Sequence, residues 1–275
     1  AETPQLVRLF ETAVAQKSPF LIHLGDIKGG GQPCTDASLQ DIADLFRAQP
    51  VPVVYTPGDN EWTDCHRVSA GQYDPRERLA RLREIFFSDP AVLRLQSLGV
   101  QMPDPAYPEI GAFLYGDVLF VALHVVGSDN GYRQGDAEAM AEFRQRDQAN
   151  LALLHEAAIQ ARTQKARAMV LMFQANPLFH QRQSPAGFGA LHRGLVQLMA
   201  DYPGPVLLLH GDTHSVKHDR PLIDPRTGES FNRFVRAEVP GSPVVGGLWI
   251  SVDPDAGEAF GVEEVYPDAL DLPPR

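Results

Sequence analysis

The chain has 275 residues, of which 44% are hydrophobic and 21% charged, and its formal net charge is −11. This hydrophobic content excludes an intrinsically disordered protein and is enough for one large α/β domain with a sizeable core. The negative charge repels a phosphate backbone and disfavours general nucleic-acid binding, and no apolar run reaches the about 20 residues that a membrane span needs. We therefore expect neither nucleic acid nor membrane among its partners.

The first half of the chain alternates predicted helices with short buried strands. Apolar residues at helical spacing predict helices over residues 5–16, 38–48 and 75–87, and apolar runs predict strands over 20–24 and 51–56. A helix that leads into a parallel strand normally follows an earlier strand, and none precedes Gln5. We therefore expect that a first strand is missing from this sequence, which opens at Ala1 as a processed or truncated chain would.

The second half continues this alternation and ends in shorter apolar stretches. The patterns predict strands 112–115 and 118–126 as a hairpin, a loop 127–131, a helix 137–164, a strand 168–173, a helix 189–200 and a strand 205–210. The apolar stretches 231–237, 244–252 and 260–265 lie between turns and predict mostly antiparallel sheet. No linker or repeat interrupts residues 1–275, so we expect one α/β domain with a mixed sheet or two stacked sheets.

The two cysteines, Cys34 and Cys65, lie in polar loop sequence rather than in the apolar surroundings of most free core cysteines. This setting favours a disulfide between them, although two unrelated thiols remain the alternative. A disulfide predicts an oxidising compartment and hence an extracytoplasmic location, either periplasmic or secreted.

Polar side chains follow four of the predicted strands at the point where each strand ends. They are Asp26, then Asp59 and Asn60, then Gln174 and Asn176, then Asp212 and His214. The carboxyl ends of strands in an open α/β sheet share one crevice, so we expect these groups to converge. Several carboxylates in one crevice repel each other and take up protons unless a divalent cation neutralises them. The sequence therefore predicts a metal site at this edge.

The order of these motifs resembles that of the calcineurin-like metallophosphoesterase superfamily. The matching segments are Gly25-Asp26, Pro57-Gly58-Asp59-Asn60-Glu61, Gln174-Ala175-Asn176-Pro177 and Gly211-Asp212-Thr213-His214. The resemblance implies a two-sheet β-sandwich flanked by helices in four α-β-β-α layers. It also implies one or two metal ions that activate a water molecule against a phosphomonoester or phosphodiester. The implied metal ligands are Asp26, Asp59, Gln174, Asp212 and His214.

This sequence departs from the pattern of the superfamily at several positions. Its D-x-H motif would lie on the strand that we expect to be missing, and Asn60 stands where the catalytic histidine would be. Asp59 and Asp212 replace neutral ligands, which shifts the expected preference from zinc toward Mn²⁺, Mg²⁺ or Ca²⁺. Loss of the general acid costs about 10²–10⁴ in rate for a poor leaving group unless another proton donor reaches the site. We expect His66 to supply the proton and Arg67 to bind phosphate oxygens.

Two other functions stay open at this point. The departures favour a degenerate member that binds a cation or ligand without turnover, and His210 with His214 would suit a zinc peptidase if both lay on a helix.

Asp129, Asn130 and Arg133 either face the crevice or form a turn, and His23 and His124 read as core histidines. Substrate specificity is expected in loops 68–74, 102–109 and 181–188, and the sequence does not indicate the substrate or the oligomeric state.

Overall fold

The computed structural model describes residues 3–181 and 185–267. Its helices are α1 (Thr3–Ala15), α2 (Asp36–Arg47), α3 (Pro75–Phe87), α4 (Pro90–Leu93), α5 (Ala137–Thr163) and α6 (Gly189–Asp201). Its strands are β1 (Leu21–His23), β2 (Val53–Tyr55), β3 (Gly111–Tyr115), β4 (Val118–Ala122), β5 (Ala168–Met172), β6 (Val206–His210), β7 (Lys217–Asp219), β8 (Phe234–Glu238), β9 (Gly247–Val252) and β10 (Phe260–Val265). Three short 3₁₀ segments cover Thr63–His66, Val68–Ala70 and Leu95–Leu98.

A six-stranded sheet with the order β3-β4-β5-β6-β8-β7 forms the centre of the fold. Strands β4, β5, β6 and β8 run parallel, while β3 and β7 pair antiparallel at the two edges. The parallel strands read as continuous apolar runs because both of their faces are covered. Their carboxyl ends therefore lie along one edge of the sheet.

A second β layer covers one face of this sheet. It consists of the parallel pair β1-β2 and the antiparallel pair β9-β10. Alternate side chains of the large sheet, such as Phe120, Val170 and Leu207, pack against Phe20 and Val54 in one buried cluster. The carboxyl ends of β1 and β2 thereby come close to those of the large sheet.

Helices cover the two outer faces. On the free face of the large sheet, Leu154 of α5 and Leu195 of α6 share a core with Leu171. On the outer side of β1-β2, Phe46 of α2 and Phe86 of α3 pack with Val53. The layers are thus helix, sheet, sheet and helix, which confirms the predicted flanked sandwich. No helix in the described ranges is long and apolar enough to cross a membrane.

The structure differs from the sequence-based prediction in three strands. Strand β7 was not predicted, and β8 pairs parallel to β6 rather than joining an antiparallel meander. The predicted strand 118–126 stops at Ala122. Two residues further on, the His124 N–H donates to the Asn150 side chain, so the strand pairing does not continue to residue 126.

Candidate metal centre

Three aspartates from different strand-end loops meet at the shared edge. Asp26 follows β1, Asp59 follows β2 and Asp212 follows β6, and one oxygen of each lies within 4.8 Å of the others. Asp26 and Asp212 have left-handed backbone angles, with φ of 53° and 83°. Such angles cost roughly 1–3 kcal/mol for a residue other than glycine and concentrate at functional sites. The convergence predicted from the strand ends is therefore present for these three residues.

Glycines make the close approach of these loops possible. A Cβ on Gly58 would lie 2.4 Å from Asp26 Oδ1, and a Cβ on Gly127 would lie 2.6 Å from Asp212 Oδ1 and 2.7 Å from Asp59 Oδ2. Real Cβ atoms do not approach so closely, so either loop would have to move if it carried a side chain. The space beside the carboxylates is thus kept open by the backbone.

The amide of Gln174, the residue two positions after β5, lies between the three carboxylates. Its Nε2 is 3.1 Å from Asp26 Oδ2, 3.2 Å from Asp59 Oδ1 and 3.4 Å from Asp212 Oδ1. Its Oε1 accepts a hydrogen bond of 2.6 Å from the Gly127 N–H, which fixes which end of the amide faces the acids. Gln174 is brought to the centre as predicted, with its N–H₂ group rather than its oxygen toward the carboxylates.

The outer oxygens of the carboxylates are held by protein donors. These are the Asn60 N–H on Asp26 Oδ1 at 3.4 Å, the Ser128 hydroxyl on Asp59 Oδ2 at 2.9 Å and the Asn176 N–H on Asp212 Oδ2 at 3.0 Å. One oxygen of each aspartate is thereby oriented outward and the other inward. The other three oxygens, Asp26 Oδ2, Asp59 Oδ1 and Asp212 Oδ1, face the Gln174 amide and are called the inward oxygens below.

Burial and mutual repulsion raise the pKa of these acids. Burial first, and then the charges of Glu61, Asp59 and Asp212, raise the pKa of Asp26 well above its usual range. Burial, and then the charge of Asp59, raise the pKa of Asp212 to about 6. A cation between the inward oxygens would relieve this repulsion. The oxygen donors and the open space beside them fit a divalent metal ion.

Glu61 holds the loop that carries Asp59. Its Oε1 accepts from the Tyr55 hydroxyl at 3.0 Å and from the Gly58 N–H at 2.8 Å, and burial raises its pKa to about 7. This buried carboxylate ties the end of β2 to the turn after it. The turn geometry at Asp59 therefore depends on Glu61.

His214 lies apart from this group. It is exposed, has a φ of 56°, and its ring packs at Gly241, where a Cβ would lie 2.5 Å from its Cδ2. In residues 3–181 and 185–267 the group that can hold a metal comprises Asp26, Asp59 and Asp212 without His214. His210 is the last residue of strand β6, so the zinc-peptidase alternative, which needs a helix there, is wrong.

The three residues predicted to act on the substrate lie around the aspartates. Asn60 Oδ1 faces Gly30, where a Cβ would approach it to 2.6 Å. Arg67 Nη2 is 2.8 Å from Asp64 Oδ2 and 3.2 Å from Ser128 Oγ. The Ser128 hydroxyl also donates to Asp59, so it connects the Arg67 guanidinium to that aspartate.

His66 lies at the exposed rim of the same turn. Its Nδ1 is 2.8 Å from the Thr63 carbonyl and 2.9 Å from Arg133 Nη2, and that guanidinium also donates to the Thr63 carbonyl at 2.7 Å. Arg133 thus packs beside the imidazole. Both contacts are made through Nδ1, so Nε2 lies on the other edge of the ring.

A disulfide joins Cys34 and Cys65, which confirms the predicted pairing. It links the glycine-rich loop after β1 to the Thr63–His66 segment, and both sulfur atoms lie near the Asn60 carbonyl, at 3.4 and 3.6 Å. The bond therefore connects the loop after Asp26 to the segment that carries His66 and Arg67.

Ser128 and Asp64 were missed in the sequence. The Ser128 hydroxyl is 2.9 Å from Asp59 Oδ2 and 3.0 Å from Asp64 Oδ2, and burial followed by the charge of Asp59 raises the pKa of Asp64 to about 6. Ser128, Asp129 and Asn130 have φ of 51°, 55° and 56°, three successive left-handed residues within the Gly127–Asn130 segment. Ser128 could have been found from its position in the loop after β4, because this loop lies at the same edge of the sheet as the loops that carry the aspartates.

The neighbouring candidates have structural contacts. Asp129 Oδ1 accepts from the Gly187 N–H at 2.9 Å, and Asn130 Nδ2 donates to the Gly187 carbonyl at 3.1 Å. Both residues thus tie the loop after β4 to the segment before α6. His124 is a buried core histidine, as expected, because its Nδ1 is 2.8 Å from Glu109 Oε1.

Comparison with known proteins gives a structural match. No family model matches this chain, and no curated protein matches its sequence. The solved structure titled "Structure of PhoD" aligns with it at a TM-score of 0.52 and 15% sequence identity, over 88% of this chain and 55% of the PhoD chain. This chain thus spans about half the length of that protein. At this identity the similarity shows the fold alone, which is the two-sheet α/β sandwich flanked by helices described above.

Proposed function

We propose that this protein is a metal-dependent phosphoesterase of the calcineurin-like type, which cleaves a phosphomonoester or phosphodiester. The observation that carries the proposal is the convergence of one oxygen each from Asp26, Asp59 and Asp212 within 4.8 Å at the edge of a phosphoesterase-like fold. Such a set of hard oxygen donors favours Mn²⁺, Mg²⁺ or Ca²⁺ over Zn²⁺. A bound ion of this kind neutralises charge and lowers the pKa of water for attack on phosphorus.

The chain's own residues would orient the phosphoryl group. Arg67 binds Asp64 and Ser128 through Nη2, which leaves further N–H groups of its guanidinium for phosphate oxygens. Its side chain is 48% exposed, so a phosphoester in solution would be able to reach it. Lys28 Nζ donates to the Gln32 carbonyl at 2.8 Å and so holds the glycine-rich loop. Gly30 of this loop lies against the Asn60 side chain.

His66 is the proposed proton donor for the leaving group. Asn60 cannot donate a proton as a general acid, because an amide does not titrate in this range. The His66 ring lies at the rim, in the turn that the disulfide fixes. A group at this position would act on a leaving alcohol at the surface rather than on one deep in the crevice.

The substrate and the location are part of this proposal. We expect a small-molecule phosphoester, with specificity in loops 68–74, 102–109 and 181–188, of which residues 182–184 lie outside the described part of the chain. Val68 and Met102 in these loops have exposed side chains, at 79% and 45%. The disulfide supports an extracytoplasmic location, either periplasmic or secreted. We also propose that residues 1–275 act as one domain, without membrane or nucleic-acid partners.

A degenerate protein that binds a cation without turnover is the second candidate. The observation that favours it is Asn60, whose amide lies against Gly30 at the position where the resemblance implies a catalytic histidine. The two candidates share the metal site and differ only in turnover.

Turnover of bis(p-nitrophenyl) phosphate with added Mn²⁺ tests the proposal. We expect activity for the native protein and for Asp117→Asn, which lies in the β3-β4 turn, and loss of activity for Asp26→Ala. Metal binding without any turnover of this or of a phosphomonoester would favour the degenerate protein. Equal turnover of the native protein and Asp26→Ala would contradict the proposal.

A further inference from the structure

We infer that Gln174 makes this centre mononuclear, because its amide takes the position of a second cation between the three aspartates. The inference rests on the proposed metal site and adds the number of ions that the site holds. Two observations support it. The Gln174 Nε2 atom faces the inward oxygens, and a hydrogen bond from Gly127 holds the amide in that orientation.

The Gln174 amide lies where a cation would be attracted most strongly. Its Nε2 is within 3.4 Å of Asp26 Oδ2, Asp59 Oδ1 and Asp212 Oδ1, and the residue is fully buried. The two hydrogens of the amide carry partial positive charge and point at anionic acceptors, as a bound ion would. One face of the carboxylate group is therefore already occupied by a protein donor.

Rotation of this amide is opposed by the backbone. If the amide turned over, Oε1 would face three carboxylates and the Gly127 N–H would lose its acceptor at 2.6 Å. Such a change leaves a buried donor unpaired and places an oxygen dipole against anionic oxygens, and both effects are unfavourable. The Nε2 atom has no lone pair to offer a metal in this arrangement. Gln174 thus acts as a positioning residue rather than as a ligand.

The charge at the site agrees with a single ion. Each aspartate already has its outer oxygen bound by a protein donor, so a second ion would have to displace either Gln174 or one of those donors. One divalent ion together with the Gln174 amide satisfies the inward oxygens.

The number of Mn²⁺ ions bound per chain tests the inference. The native protein, Gln174→Glu and the surface control Gln197→Glu are loaded with Mn²⁺, dialysed and analysed for metal content, and the Mn²⁺ electron paramagnetic resonance spectrum is recorded. Gln197 is exposed and bonds Asp201 at 2.9 Å, so its substitution leaves the centre unchanged. Gln174→Glu keeps the shape of the side chain but replaces the two donors by an anionic oxygen.

We expect one ion per chain, with an uncoupled Mn²⁺ spectrum, in the native protein and in Gln197→Glu. We expect two ions and a spin-coupled spectrum in Gln174→Glu. Two coupled ions in the native protein would overturn the inference without touching the proposed function, and this outcome does not depend on the folding of any variant. A folded Gln174→Glu protein that binds one ion would also overturn it. Absence of any bound ion from the native protein would overturn the proposed function together with the inference.

Discussion

The proposed contact between Arg67 and the phosphate oxygens of the substrate is tested most simply by replacing this residue. It reaches Ser128 and Asp64 at the rim and is not part of the carboxylate group, so its removal should leave metal binding unchanged. Loss of a hydrogen-bonded charge against a phosphate corresponds to about a ten- to hundredfold lower kcat/KM for Arg67→Ala. Steady-state kinetics check this value, with Arg47→Ala as the control because Arg47 pairs with Asp89 on the surface.

His66→Ala belongs to the same test and separates binding from proton transfer. We expect little change with p-nitrophenyl esters and a loss of about 10²-fold or more with esters of poorly acidic alcohols, which need a proton on the leaving oxygen. Equal effects on both kinds of ester would show that His66 does not act as the acid.

His23 is the residue that gives the clearest prediction for stability against pH. Its ring packs 5.3 Å from the Phe46 ring and 6.1 Å from the Tyr55 ring, and burial lowers its pKa from 6.5 to about 4. The unfolded chain takes up this proton below pH 6.5 and the folded chain only near pH 4. Folding stability therefore falls between pH 6.5 and 4, by at most about 3.4 kcal/mol at 1.36 kcal/mol per pKa unit.

Urea unfolding at pH 7.5, 6, 5 and 4 measures this effect in the native protein and in His23→Phe. The raised pKa values of Asp26 and Asp212 act in the opposite direction, since those acids favour the folded state as the pH falls. The difference between the two proteins isolates the histidine. We expect His23→Phe to lose less stability than the native protein toward pH 4, and parallel curves would show that His23 does not titrate in this way.

The disulfide joins two loops that flank the candidate metal centre. Its cysteines are 31 positions apart, and closing a loop of this length restricts the unfolded chain by about 3–4 kcal/mol. We expect the double variant Cys34→Ala, Cys65→Ala to be less stable than the native protein by that amount in urea unfolding. Addition of a reductant should destabilise the native protein and leave the variant unchanged. A native protein that is insensitive to reductant would contradict this account.

Local sequence signals fix most helices but not the pairing of distant strands. Helix α3 was predicted at its observed bounds because Pro75 occupies its first turn. In the structure, Asp74 also caps this helix by accepting from two backbone N–H groups. The position of β8 could not be predicted, since its pairing with β6 depends on β7 and on the connection that returns the chain. Turn residues on either side of a strand indicate where it ends but not which strand lies next to it.

The same limit applies at the candidate site. Asp26, Asp59 and Asp212 follow strands and could be found from the rule that ligands gather at carboxyl ends. The orientation of Gln174 depends on an N–H donor 47 positions away, and Ser128 reaches Asp59 only through three successive left-handed residues. Neither feature has a signature in the local sequence. His214 was expected beside the aspartates from its position after a strand and from the resemblance, whereas its ring lies against Gly241 and its φ is 56°.

The four layers of the molecule bring the carboxyl ends of β1, β2, β5 and β6 together at one edge of the sandwich. The large sheet contributes Gln174 and Asp212, and the smaller layer contributes Asp26 and Asp59. The centre therefore forms only when the two sheets pack together. A ligand that binds there stabilises the folded state in proportion to its affinity.

Titration calorimetry with Mn²⁺ is the most direct test of the central claim, that the three aspartates form a metal centre. We expect binding by the native protein and by Asp117→Asn, and loss of that binding in Asp26→Asn, whose side chain keeps its size but loses its charge. Undiminished Mn²⁺ binding by a folded Asp26→Asn protein, or no binding by the native protein, would contradict it.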